Sequence, residues 1–189
     1  MPHISVPAAE LNTRLDRLRC AMTEKDPAWS MLLLDNTLDM YYFTGTMQDG
    51  ALVVTPDQAT LFVRRSFDVA KDESAFADIR PMGSFRGIKE VYPDIPETVY
   101  VAAKTMTLQK LSMLNKHLPF APKPMDGVLS ALRSVKSAYE LDCMRESGRL
   151  HRYVIEELAP AFLREGVSEA RLCSEICTAI VDKSEAKRS

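Results

Sequence analysis

The sequence predicts a mixed α/β domain, a sheet with helices on its faces, followed by a purely helical segment. Short apolar runs bounded by polar residues alternate with helical stripes along most of the chain. Two of these runs, 51–55 and 59–64, are separated only by Pro56-Asp57-Gln58, which predicts a hairpin and therefore an antiparallel pair within the sheet. After Ser137 the apolar residues recur only at helical spacing.

The first elements follow from this patterning. The stripe Leu11, Leu15, Leu18 and Met22 predicts a helix over 8–23. The apolar run 29–35 predicts a buried strand, and residues 36–39 predict a turn. Residues 40–45 are aromatic and end in glycine, so we expect an extended segment and then a sharp turn at Gly45, where a positive φ is needed.

The remaining elements before the helical segment are shorter. Prolines 119, 122 and 124 exclude a helix around residue 122. The predicted elements are a helix over 67–75 capped by Ser66, a strand over 78–82, a short helix within 84–91, a strand over 98–102, a helix from 108 to about 118, an extended segment over 120–124 and a helix over 128–132 capped by Asp126.

The helical segment begins with a recognisable cap. Ser137 and Glu140 have the spacing of a capping box, and Arg133 just before them is expected to be solvated. Pro160 should kink or end the first helix unless the chain forms a wide turn there. Gly166 is expected to end this helix and Ser168 to begin the next. The apolar stripes are Leu141, Met144, Gly148, His151, Ile155 and Leu158, then Leu172, Ile176 and Ile180.

Composition excludes several functional classes. The net charge of -2 gives no basic field for nucleic acid. The apolar runs are too short to span a bilayer, and the N-terminus lacks the pattern of a signal peptide. Four cysteines show no paired spacing, which predicts reduced thiols and a cytoplasmic protein.

The residues that could carry chemistry are few. No serine lies in a G-x-S-x-G elbow, and the histidines at 3, 117 and 151 are far apart. His151 is expected to be packed or to lie at an interface rather than to be a ligand. Cys173 and Cys177 have the spacing of half a metal site, but they continue the stripe around Ile176 and are expected to be core thiols. Two further groups stay open between a site and an ordinary structural role: Arg64 and Arg65, which can hold a carboxylate or be solvated, and Tyr41, Tyr42 and Phe43, which can form an interface or belong to the core.

Three motifs in register resemble one protein family. Asp35-Asn36, the run from Tyr41 to Gly45, Gln48-Asp49-Gly50 and the hairpin ALVVTPDQATLFVRR resemble the N-terminal domain of the creatinase, prolidase and aminopeptidase P family. The stretch LRSVKSAYELDCMRESG is similar to the entry into that family's catalytic domain. The stretch FLREGVSE resembles the segment that joins the first two helices there.

The resemblance implies a creatinase/prolidase-like N-terminal domain over 1–126, a ribonuclease-H-like mixed sheet flanked by helices. Residues 127–189 would then be the linker helix and the first two helices of an incomplete pita-bread catalytic domain. Members of this family bind two divalent metals, manganese, cobalt or zinc, through two Asp, one His and two Glu. They release an N-terminal residue before proline or cleave an Xaa-Pro dipeptide, through a metal-bridging hydroxide.

The resemblance also limits what this chain is expected to do. The metal ligands of the family lie beyond its second catalytic-domain helix, so no residue here is expected to inherit a catalytic, cofactor or metal role. We therefore expect a non-catalytic portion that makes subunit contacts and shapes the active-site entrance, as a homodimer, with no nucleic acid or membrane partner. Tyr41, Tyr42, Phe43, Arg64, Arg65 and Ile176 are its candidate interface or site-shaping residues.

Two alternatives remain. The chain can be a fragment of an active metal-dependent Xaa-Pro peptidase, whose catalytic half is separately encoded or absent here. It can also be a stand-alone binding module that reuses the domain.

Overall fold

The computed structural model describes residues 5–186, with side chains described for residues 5–182, so the expectation for His3 lies outside the described residues. The chain divides into two compact units, Met1–Val135 and Lys136–Ser189. The boundary drawn from the sequence after Asp126 differs from this one by the length of a single helix, Asp126–Ser134, which belongs to the first unit.

The first unit is built on a mixed sheet flanked by helices, as the sequence predicts, and this sheet has six strands within the described residues. The strands lie in the order β4-β3-β2-β1-β5-β6. β2 runs antiparallel to both β1 and β3, and the three other pairings are parallel. The strands are β1 (Leu32–Leu34), β2 (Gly50–Val54), β3 (Ala59–Val63), β4 (Ile79–Pro81), β5 (Thr98–Val101) and β6 (Ala121–Pro124).

Helices connect these strands and form the second unit. Those of the first unit are α1 (Ala8–Lys25), α2 (Thr37–Thr44), α3 (Phe67–Glu73), a 3₁₀ turn (Phe85–Gly87) that leads into α4 (Ile88–Val91), α5 (Leu108–Asn115) and α6 (Asp126–Ser134). Those of the second unit are α7 (Ala138–Tyr153), a π-helical turn (Val154–Leu158), α8 (Ala159–Phe162) and α9 (Glu169–Ala186).

The core lies on both faces of the central strands. Leu33, Val53 and Phe62 belong to one buried cluster, which the helices cover through Ile88 and Leu114. The intervening strand residues are equally inaccessible, so both faces of the sheet are covered. They include Leu32, Leu34, Leu52, Val54 and Leu61.

The largest difference from the sequence prediction is α2. Residues 36–45 were expected to be a turn and an extended segment, yet 37–44 form a helix. Asn36 is its N-cap, because its side-chain oxygen accepts the Asp39 N–H at 2.9 Å. Gly45 ends the helix at φ 75°, where its N–H donates to the Tyr41 carbonyl. The left-handed glycine was therefore predicted correctly, but it ends a helix rather than a strand.

Two predicted caps in the first unit also differ. Ser66 has φ 57°, and its side chain does not cap α3. Asp126 lies in the first turn of α6, whose N-cap is Met125. The Asp126 carboxylate instead accepts the backbone N–H groups of Ala103 and Lys104, at 3.1 and 2.9 Å, and so ties α6 to the loop after β5.

The caps of the second unit agree better with the sequence. Ser137 and Glu140 form the predicted capping box. The π-helical turn directly before Pro160 is the wide turn that this proline requires. Gly166 has φ 79° but lies in the loop, because Leu163 is the C-cap of α8. Ser168 accepts the Arg171 N–H at 3.3 Å, as expected for the start of α9.

Within the described part of the chain, none of the helices combines the length and the apolar character needed to cross a membrane.

Candidate functional site

The aromatic residues of α2 differ in accessibility. Phe43 is fully buried and Tyr42 is 7% exposed, and their rings meet edge to face with centroids 4.9 Å apart. Tyr41 is only half-buried. The core interpretation therefore describes Tyr42 and Phe43. Tyr41 and the exposed Leu38 are the apolar side chains of α2 that remain accessible to solvent.

A buried arginine holds α2 against α1. The Arg14 guanidinium donates to Glu10 at 2.8 Å and to the Tyr42 carbonyl at 2.7 Å, and it lies 4.3 Å from the centre of the Tyr42 ring. Because a buried charge is costly without partners, this arrangement fixes the position of α2. The sequence gives no signal for it, since Arg14 occupies an ordinary helix position.

Polar contacts also hold the end of the first unit. Arg133 donates to the buried Asp39, whose second oxygen accepts from Asn36 at 2.6 Å. Arg17 donates to the Leu132 carbonyl at 3.2 Å. The expectation that Arg133 is solvated was therefore wrong: it links α6 to the start of α2. These contacts fix the backbone immediately before the second unit.

Arg64 and Arg65 follow β3 directly. Arg64 donates through both Nε and Nη2 to Asp49, at 2.9 and 2.6 Å, so it holds a carboxylate of its own chain. Arg65 is exposed. Arg64 also lines a cavity of about 310 Å³ at the C-terminal end of α5. Among the described residues, the lining of this cavity includes neither Arg65 nor the aromatic residues of α2.

The second unit presents apolar residues unevenly. Ile176 is half-buried, and α9 packs on the π-helical turn, where Leu158 is buried. Arg164 donates to Glu175 at 2.8 and 3.0 Å and so holds the loop before α9. Hydrogen bonds from Arg164, then from Arg171, lower the pKa of Glu175 to about 2. By contrast α7 has no buried residue, and Met144 is 57% exposed.

The sequence interpretation of two cysteines in this unit was wrong. Cys173 and Cys177 are exposed rather than core thiols, although they are on the helix that carries Ile176. His151 is exposed, so it is not packed within the described residues, and its place at an interface stays a prediction. The error arose because every residue near the apolar stripe of Leu172, Ile176 and Ile180 was assumed to be buried.

The described residues do not fit a two-metal centre. Among them no group of three or more histidine, cysteine, aspartate or glutamate side chains is placed to hold a metal ion. The buried Asp35 and Asp39 are instead engaged in ion pairs, with Lys110 at 2.7 Å and with Arg133. No metal-dependent step is therefore assigned to these residues.

The family of the first unit follows from comparison with known domains. Residues 14–135 match the family model described as Creatinase/Prolidase N-terminal domain, and this match ends at the same residue as the first unit. The chain belongs to this family, which confirms the resemblance found in the sequence. A search of curated protein sequences found no match.

Solved structures share the fold. An Xaa-Pro dipeptidase from Bacillus anthracis is similar with a TM-score of 0.77 and 20% identity, over 92% of this chain and 49% of that one. A dipeptidase, PepE, from Mycobacterium ulcerans is 26% identical with a TM-score of 0.73, over 94% and 51%. This chain therefore spans about half the length of these relatives. An isolated N-terminal domain of a Streptococcus pyogenes X-Pro dipeptidase matches over 64% of this chain and 98% of its own, with 18% identity and a TM-score of 0.53.

Proposed function

We propose that this chain supplies the non-catalytic N-terminal portion of an Xaa-Pro aminopeptidase- or dipeptidase-like metallopeptidase. The proposal depends on how much of each chain the structural match covers. The match to relatives named as dipeptidases covers nearly all of this chain but only about half of theirs. The described residues that match contain no cluster able to hold a metal ion.

The proposed role is to make subunit contacts and to shape the entrance of an active site. A rigid sheet with both faces covered is a suitable support for such a role. The accessible apolar residues, Tyr41 and Leu38 on α2 and Met144 on α7, are then the contact points. In this proposal, metal binding and hydrolysis belong to the half of the relatives that this chain does not match.

The proposal is tested by assaying purified protein against Xaa-Pro dipeptides and against peptides with proline in the second position, with added manganese. We expect no turnover above a buffer blank and no stoichiometric manganese in equilibrium dialysis. A full-length Xaa-Pro dipeptidase serves as positive control. Turnover that co-elutes with the protein and is lost with a chelator would contradict the proposal and favour the active-fragment alternative.

A further inference from the structure

We propose that the cavity at the C-terminal end of α5 binds a small carboxylate with an apolar body. Its volume of about 310 Å³ is near the lower end of the range of roughly 300–1,000 Å³ typical of ligand pockets. Its walls combine the apolar side chains of Met82, Phe85 and Met113 with the cationic or titratable side chains of Arg64, Lys116 and His117.

The apolar side of this cavity is well positioned. Met82 follows β4, and its N–H donates to the Val63 carbonyl at 2.8 Å, which fixes it beside the end of β3. Met82 and Phe85 are buried, so they form a fixed surface. Met113 on α5 is 43% exposed and is an adaptable apolar wall. A ligand that packs here removes apolar surface from water chiefly at Met113, while the buried Met82 and Phe85 supply van der Waals contacts.

The polar side has a net positive charge from Lys116, because Asp49, which does not line the cavity, offsets the charge of Arg64. Asp49 holds the Arg64 guanidinium through Nε and Nη2, which leaves Nη1 without a hydrogen bond within the described part of the chain. Lys116 and His117 follow the last residue of α5, and their side chains have no ion-pair partner among the described residues. A fixed guanidinium with a spare donor beside a lysine suits one carboxylate.

The mostly apolar lining favours this ligand class over a phosphorylated one. A phosphate group presents three strongly accepting oxygens, which are usually satisfied by several converging donors and leave little use for an apolar wall. A monocarboxylate with an aromatic or aliphatic body uses both halves of the cavity.

The probe for this site is phenylbutyrate, titrated into the full chain and followed by calorimetry and by amide chemical shifts. We expect shifts to concentrate at residues 82–86 and 113–117. The neutral isostere phenylbutyramide should bind about fivefold more weakly, which is the contribution of one partly exposed charge pair. Acetate, which lacks the apolar body, should produce no localised shifts at the same concentration.

Variants test whether a change in the affinity for phenylbutyrate comes from the charge in the cavity or from a damaged fold. Lys116→Gln should weaken phenylbutyrate about fivefold, and Lys104→Gln, an exposed lysine outside the cavity, should not. Met113→Asp should weaken it at least tenfold, and Met113→Lys should not, although both replace the same half-exposed side chain. Equal affinity for the acid and the amide, shifts that map elsewhere, or no binding at millimolar phenylbutyrate would each overturn the proposal.

Discussion

Gly45 ends α2 in a left-handed backbone conformation. Its φ of 75° lies in the left-handed region, and a Cβ there would be 3.4 Å from Val6 Cβ. Gly45→Ala should lower the free energy of unfolding by about 1–2 kcal/mol, the cost of this conformation for a residue with a Cβ. Urea denaturation followed by circular dichroism measures it. Gly83→Ala is the matched control, because a Cβ there meets nothing within 4 Å, and it should change stability by less than about 0.5 kcal/mol. Equal stability of the two variants would contradict this account.

Single residues also show where sequence reasoning ends. The positive φ of Gly45 was predictable because glycine is the residue that adopts it without strain. The ion pair of Asp39 with Arg133 was not, since the two residues are 94 positions apart and each is unremarkable in its own segment. Cys173 and Cys177 were misplaced because helical spacing shows which residues share a stripe, but not how much of its width is covered.

At the scale of elements, α2 shows how tertiary contacts override local preference. Its aromatic residues favour a strand by propensity. The helix forms because Asn36 caps it, Gly45 ends it, and Arg14 binds its Tyr42 carbonyl. The sequence placed Asn36 in a turn, because asparagine is typical of turns as well as of helix N-caps, and the Arg14 contact required the folded arrangement.

Asp26 is an electrostatic link between elements. It caps α1 and accepts hydrogen bonds from the Tyr100 hydroxyl on β5 at 2.7 Å and from Lys123 on β6 at 3.0 Å. The tyrosine hydroxyl, then Lys123, lowers the pKa of Asp26 to about 2. A folded pKa below the ordinary value of 3.8 means that the ionised Asp26 stabilises the folded state. This contribution is present above pH 4 and is lost as the pH falls through about 2.

Asp26→Asn should therefore lower the free energy of unfolding at pH 6. The difference in this free energy between wild type and variant should shrink as the pH falls from 4 to 2. Urea denaturation at a series of pH values measures this difference. Other carboxylates titrate in both proteins, so their contribution cancels. Asp57→Asn, in the exposed hairpin turn, is the control and should show no such trend. A difference for Asp26→Asn that is constant with pH would show that the carboxylate charge does not contribute.

For the whole molecule, the sequence predicted the first unit better than the second. Apolar runs alternating with helical stripes placed the sheet and its hairpin, because a mixed sheet with two covered faces leaves few arrangements for apolar strands. The second unit has the predicted capping box, yet helical spacing alone could not determine what covers α7. The described residues leave Leu141, Met144 and Ile155 exposed.

These exposed residues lead to a prediction of self-association. Apolar side chains at helical spacing are rarely left in water, and a second copy that pairs about a two-fold axis would cover them. Wild-type protein should therefore sediment faster than a 21.2 kDa monomer, with a coefficient that rises with concentration. Met144→Asp and Ile155→Asp should shift it towards the monomer. Ile176→Asp should do the same or precipitate the protein, because its side chain is half-buried.

Val69→Asp provides the control, since it introduces the same charge at an exposed apolar residue of α3 in the first unit and should leave the sedimentation coefficient unchanged. Circular dichroism verifies that each variant keeps its helical content. Hydrogen exchange of the wild type adds a separate criterion, because burial of α7 at a subunit contact should slow exchange of its amides as concentration rises. A wild-type chain that stays monomeric at the highest attainable concentration, with α7 exchange independent of concentration, would contradict self-association through this helix.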